Sequence, residues 1–115
     1  MTNLSSPAIE KLYVVVRQDL SPGAQIAQSL HAFREFVREH PENESKWYTG
    51  SNTIVILGVD SEYDLRKLVH EARKENLKVS TFEEPDFQFS LTAATFEPGT
   101  KTSQFLSHLK TAGKR

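Results

Sequence analysis

Short apolar runs and helical stripes alternate along this chain. Segments 11–17 and 53–59 are rich in β-branched and aliphatic residues and too short for helices, so each predicts a strand buried on both faces. Between them, Ser21 is a suitable N-cap and Pro22 a suitable first helical residue, and the helix that follows must stop before Pro41. Its apolar residues recur at helical spacing and predict one buried stripe, formed by Ile26, Leu30, Phe33 and Val37.

The rest of the chain adds helices and a hairpin. Residues 41–52 form a polar connection that holds the only tryptophan, and Ser61 with Asp64 resembles a capping box that opens a second helix. Strands follow at 78–82 and 89–96, joined by a turn at 83–86, and a last short helix lies around 105–109. The first two strands are joined through a helix and should be parallel, whereas the strands at 78–82 and 89–96 are joined by a tight turn and should be antiparallel. The pattern therefore predicts an α/β domain with a mixed, four-stranded sheet.

Composition narrows the possible functions. The 115 residues suit a single domain at 11–112, after a polar lead-in at 1–10 and before a frayed tail at 113–115. A net charge of −1 excludes a general polycation, and the absence of cysteine excludes disulfides, thiol catalysis and cysteine-based zinc sites. The four histidines lack metal-binding spacing, so no metal is expected, and without a GxGxxG or P-loop pattern no nucleotide cofactor is expected either. Without a signal peptide or a long apolar run, we expect a cytoplasmic protein with no membrane partner.

Polar residues that can carry chemistry occur in two places. The loop after the first strand leads into a helix N-terminus, which suits an anion but is also an ordinary capped helix start. On that helix Gln28 and His31 are one turn apart, and His31 lies off the apolar stripe, as a surface residue or part of a polar site. This helix flank is the first candidate site.

The predicted hairpin is the second candidate. Three carboxylates lie close together in its turn, those of Glu83, Glu84 and Asp86. Repulsion between like charges is expected to raise the pKa of at least one of them, which would suit a general base. Solvated turn acids are the commoner explanation of such a cluster. Ser90 and Thr92 lie on the same face of the last strand, where they can stabilise an oxyanion or simply fill the sheet.

Basic residues give a third, weaker signal. Beyond Pro98 there is no acidic residue, and seven cations can form a phosphate-binding surface or remain solvated: Lys11, Arg17, Lys46, Lys101, Lys110, Lys114 and Arg115.

Two motifs resemble the type II peptidyl-tRNA hydrolases. Residues 12–20 read L-Y-V-V-V-R-Q-D-L and residues 27–32 read A-Q-S-L-H-A, similar to that family's V-V-R-x-D-L and A-Q-C-S-H-A. The resemblance continues to about residue 98. It implies a three-layer α/β/α fold with the fourth strand antiparallel, and metal-independent hydrolysis of the ester in peptidyl-tRNA.

The resemblance also implies roles for individual residues. The expected catalytic residues are Gln28, His31, Thr92 and a turn acid, either Glu84 or Asp86. The expected substrate-binding residues are Arg17, which matches the family's first strand, together with Ser21, Gly23 and Gln25 of the loop that suits an anion and Ser90 of the last strand. The expected partner is peptidyl-tRNA. A homodimer is possible, and the sequence does not decide between a monomer and a dimer.

One departure from the family supports an alternative hypothesis. The family's glycine- and lysine-rich loop is here the lysine-free Ser21–Gln25 segment. A missing cation weakens the stabilisation of a phosphate or an oxyanion. The alternative is therefore an inactive module on the same fold that binds tRNA ends, a peptide or a protein.

Overall fold

The computed structural model describes residues 9–113, so most of the predicted lead-in at 1–10 and the tail residues 114–115 lie outside it. Within residues 9–113, five strands and four helices follow one another: β1 Leu12–Arg17, α1 Pro22–Glu39, α2 Pro41–Thr49, β2 Ile54–Val59, α3 Glu62–Lys74, β3 Val79–Glu84, β4 Ser90–Phe96, α4 Thr100–Phe105 and β5 Lys110–Thr111. A short 3₁₀ turn, Pro85–Phe87, joins β3 to β4.

The strands form one mixed sheet in the order β3-β4-β1-β2-β5. β1 and β2 are parallel, while β4 is antiparallel to both β1 and β3, which confirms the two predicted pairings. The predicted number of strands is wrong, because β5 adds a fifth at the edge of β2. The last helix, predicted around 105–109, instead spans Thr100–Phe105, and β5, just beyond the predicted helix, pairs with Leu57 and Gly58.

The helices begin where the sequence predicts. The Ser21 hydroxyl accepts a hydrogen bond from the amide of Ala24, and the Ser61 hydroxyl accepts one from the amide of Asp64. The predicted connection at 41–52 is wrong, because Pro41 stops α1 and also starts α2. Trp47 on α2 packs in the core, and its indole nitrogen donates to a backbone carbonyl.

The core lies against β1, whose first five residues are all buried, as predicted. Val14 and Val16 pack against Ala32 of α1, while Tyr13 and Val15 belong to a larger cluster with α3. Because successive strand residues face opposite sides, these two clusters support the three-layer arrangement, which stays a prediction. Among the described residues, no helix is both long and apolar enough to cross a membrane.

Two surfaces predicted to be buried are exposed in part, although Phe33 and Val37 of the predicted α1 stripe are half-buried. On α1, Ile26 and Leu30 are 65% and 63% exposed, and the buried residues of this helix are Gln25, Gln28, Ser29, Ala32 and Phe36. On β2, Ile54 and Ile56 are 45% and 36% exposed, so this strand is not buried on both faces. Ile26 and Ile56 line the same shallow groove of about 260 Å³. The polar residues of α1 are buried because partners from other segments and from α1 itself satisfy their hydrogen bonds.

Candidate active site

Three polar side chains from α1 and the β3–β4 hairpin form a continuous hydrogen-bonded chain. The Thr92 hydroxyl donates to Gln28 Oε1 over 2.6 Å, and Gln28 Nε2 donates to Glu84 Oε1 over 2.9 Å. Thr92 and Gln28 are almost fully buried, whereas Glu84 is only partly covered. A buried hydroxyl and amide therefore hold one accessible carboxylate in place.

Local backbone structure explains how Thr92 reaches Gln28. The register between β3 and β4 passes from Phe82↔Ala93 directly to Glu83↔Leu91, so Thr92 is the extra residue of a β-bulge. A bulge bends its strand and redirects the side chain of the extra residue. The Thr92 hydroxyl lies 3.3 Å from the Phe82 carbonyl as well as facing α1.

The turn between β3 and β4 fixes Glu84. The amide of Phe89 donates to the Glu84 carbonyl, and the amide of Asp86 donates to Glu84 Oε2 over 3.0 Å. Gln88 and Phe89 both have left-handed backbone angles, with φ of 57° and 59°. Such conformations are costly for residues other than glycine and are frequent near functional sites.

Electrostatics at Glu84 differ from the expectation for crowded acids. The pKa of Glu84 is lowered, first because Gln28 donates to its carboxylate, then because the Asp86 amide does, with a smaller contribution from the nearby His31. The prediction that crowding raises the pKa is thus wrong for this carboxyl group. Glu84 remains ionised at neutral pH and can accept a proton.

The other expected catalytic residues flank this chain. His31 is exposed and stacks on Phe82, with ring centres 4.5 Å apart and planes 12° from parallel. Asp86 contacts Glu84 through its backbone amide, and the side chain bonded to Gln28 is that of Glu84. Of the two competing acids, Glu84 is the one that the structure joins to α1.

The expected substrate-binding loop is largely occupied by its own contacts. Ser21 caps α1, and Gln25 is buried, with its amide nitrogen donating to Leu20 and its oxygen accepting from Gly113. Gly23 is exposed, with open space where a side chain would begin. Ser90 is half-buried and lies opposite Glu84 in the strand register. Of this group Ser21 and Gly23 are exposed, but the Ser21 hydroxyl is already used in the helix cap.

The five basic residues of this group that lie within residues 9–113 do not share one surface. Lys11 lies just before β1 and Lys46 lies on α2. Lys101 lies on α4 and donates to the carbonyl of Glu75. Arg17 ends β1 and Lys110 lies on β5, near the carboxyl end of β2. Lys114 and Arg115 lie outside the described residues. No single phosphate-binding face is formed by the described members.

Sequence reasoning missed one charged residue of this region. Glu62, the first residue of α3, accepts a hydrogen bond from the backbone amide of Leu91, immediately before Thr92. An acid in the first turn of a helix is ordinarily explained by the helix dipole. No local pattern in the sequence indicates the contact with a strand 29 residues further on.

Comparisons with known proteins agree with this architecture. A family model described as "Peptidyl-tRNA hydrolase PTH2" matches residues 10–111. A protein of Methanocaldococcus jannaschii named "Peptidyl-tRNA hydrolase" is 30% identical over 99 residues, and the match covers 81% of each chain. The chain belongs to the PTH2 family of peptidyl-tRNA hydrolases.

A solved structure shows a similar fold. A protein of unknown function from Agrobacterium strain C58 superposes with a TM-score of 0.69, over 91% of this chain and 98% of that one. The two sequences are 14% identical, so the similarity concerns the fold alone.

Proposed function

We propose that this protein hydrolyses the ester bond of peptidyl-tRNA, with Glu84 as the group that activates water. The observation that carries the proposal is the chain of hydrogen bonds from Thr92 through Gln28 to Glu84, which presents an ionised carboxylate at the surface. Membership in the family and the named relative support the same activity.

The reaction needs one proton acceptor and a positioned carbonyl group. Glu84 takes a proton from water as the water oxygen bonds to the ester carbonyl carbon. The bond from that carbon to the ribose oxygen then breaks, and the ribose oxygen receives the proton. Gln28 uses one amide hydrogen for Glu84 and has a second that can bind the substrate carbonyl. Thr92 acts through Gln28, because its own hydrogen is directed to that side chain.

Residues around this centre complete the proposal. His31 lies beside Glu84, where its ring can contact the leaving ribose. Gly23 at the start of α1 and Ser90 on β4 are the remaining candidates for substrate contact. A cytoplasmic location and a homodimer stay predictions.

One observation favours the alternative of a binding module without turnover. The start of α1 carries no lysine, and the side chains of Ser21 and Gln25 are engaged within the protein. Without a nearby cation, phosphate binding and oxyanion stabilisation are weaker.

Release of peptide from N-acetyl-aminoacyl-tRNA tests both functions. We expect turnover by the natural protein, a large loss of kcat in Glu84→Gln, and activity near the natural level in Asp86→Asn. Asp86 is the matched control, because its contact with Glu84 comes from the backbone. Binding of peptidyl-tRNA without release would favour the alternative function. Full activity of Glu84→Gln would exclude this carboxylate as the base.

A further inference from the structure

The backbone of Leu91, the residue before Thr92, is held on both its amide and its carbonyl by charged side chains. The amide of Leu91 donates to Glu62 Oε2 over 2.9 Å, and its carbonyl accepts from Arg17 Nη1 over 3.2 Å. Glu62 belongs to α3 and Arg17 to β1, so three separate elements meet at one buried residue of β4. Strand backbones are usually paired with neighbouring strands, and here charged side chains take that role.

These side-chain contacts replace strand pairing at the point where the ladder between β1 and β4 ends. The ladder between β1 and β4 runs from Tyr13↔Phe96 to Val16↔Ala93. Leu91 and Thr92 come before that ladder begins, and on their other side the β-bulge interrupts the pairing with β3. At Leu91 and Thr92 the pairing with β1 is absent and the pairing with β3 is irregular. The sheet therefore holds this part of β4 less firmly than the rest of the strand.

The two clamping groups are fixed by partners of their own. Arg17 donates to both carboxylate oxygens of Asp19, through Nε at 2.9 Å and Nη2 at 2.7 Å. With Nη1 on Leu91, each nitrogen of this guanidinium has a protein acceptor, and the Arg17 side chain is only 14% exposed. Glu62 in turn accepts from Arg66 at 2.7–2.9 Å.

We infer that Arg17 and Glu62 are positioning residues, which hold the backbone amide and carbonyl of Leu91 so that the Thr92 hydroxyl meets the side-chain amide of Gln28. The inference rests on the proposed hydrolase function and assigns roles to two residues that lie outside the Thr92–Gln28–Glu84 chain. It replaces the expected contact of Arg17 with substrate phosphate. A short displacement of a positioned group is enough to cost about 100-fold in rate.

The first test compares Glu62 with Glu83, two acidic residues that both lie near Arg66. Glu62→Ala removes the acceptor of the Leu91 amide, and we expect kcat to fall about 10- to 100-fold with little change in KM. Glu62→Gln keeps an oxygen at this position and should restore most of the rate. Glu83→Ala is the matched control: Glu83 lies opposite Leu91 in the strand register and its carboxylate is 3.6 Å from Arg66, but the Leu91 amide donates to Glu62 and not to the Glu83 side chain. Normal kcat in Glu62→Ala would overturn the inference.

The second test separates positioning from phosphate binding. Arg17→Gln should lower kcat and leave unchanged the slope of log KM against log salt concentration. A phosphate ligand would behave differently, because losing one reduces the salt slope by roughly 1 and raises KM. That second result would overturn the role assigned to Arg17.

A structural measurement keeps the inference testable if no hydrolysis is found. In the natural protein, NMR signals of the Gln28 side-chain amide should report its hydrogen bond to Glu84. We expect Glu62→Ala to shift these signals and to speed their exchange with water, while Glu62→Gln and Glu83→Ala leave them near their natural positions. Absence of turnover with the expected shifts would reject the hydrolase alone. Unchanged signals in a folded Glu62→Ala protein would reject the positioning role.

Discussion

Replacing Thr92 with valine tests whether the buried hydrogen-bonded chain holds the site together. Valine has nearly the shape of threonine but cannot donate to Gln28, so Gln28 Oε1 would remain buried without its present donor. Leaving a buried polar atom unpaired costs roughly 1–3 kcal/mol. Because a domain of this kind is stabilised by only about 5–15 kcal/mol, the loss is large enough to measure.

Urea denaturation is the appropriate assay. With a dependence of about 1–3 kcal/mol per molar urea, a loss of about 2 kcal/mol moves the midpoint by roughly 1 M, without a change in slope. Thr95→Val is the matched control on the same strand. Thr95 is also fully buried, but its hydroxyl oxygen has no hydrogen-bond partner within the described residues, so its removal should be neutral or stabilising.

A double-mutant cycle makes the prediction specific. In a Gln28→Leu background the amide oxygen is gone, so Thr92→Val should cost much less than it does in the natural protein. Coupling of contacting residues is typically about 0.5–3 kcal/mol. Equal costs of Thr92→Val in both backgrounds would refute the reasoning, because the hydroxyl would then not be serving Gln28.

Three further measurements test the fold and the electrostatics. Phe36→Ala should cost about 3–5 kcal/mol, because the ring is fully buried, while Ile26→Ala should change stability by less than about 0.5 kcal/mol; similar costs would contradict the observed faces of α1. In an NMR titration, Gln28→Leu should raise the pKa of Glu84, since the donor that favours the ionised form is lost; an unchanged or lower pKa would show that another group sets it. Ser61→Ala should destabilise the protein by about 1 kcal/mol and Ser61→Asp should not, and equal thermal midpoints would argue against the cap of α3.

Local residue chemistry was sufficient to predict much of the fold. Serine caps, a proline at the first helical position and short β-branched runs act within a few residues, so β1, β2, the starts of α1 and α3, and the hairpin follow from them. Pro41 shows where such reasoning is ambiguous. A proline ends one helix and is equally suited to begin the next, and the burial of Trp47 against Phe36 is a tertiary contact.

The candidate site was predictable only in part. Resemblance between short motifs pointed to Gln28, Thr92 and a turn acid, but two acids competed, and only the contact of Glu84 with α1 distinguishes them. Nothing in the sequence indicated that Glu62 belongs to this site, because its partner is the backbone amide of Leu91 in a distant strand. The lowered pKa of Glu84 likewise depends on donors that the fold brings to it.

The sequence by itself determined where β1 to β4, α1 and α3 form, because backbone preferences and caps operate between near neighbours along the chain, whereas α2 and β5 did not follow from it. The tertiary structure decided which face of α1 is buried. Hydrophobicity alone favours burying Ile26 and Leu30, but Gln25, Gln28 and Ser29 are buried instead, since partners from other segments and from α1 itself satisfy their polar atoms. Burial of a polar group depends on such partners, and most of those that build this site lie far away in sequence.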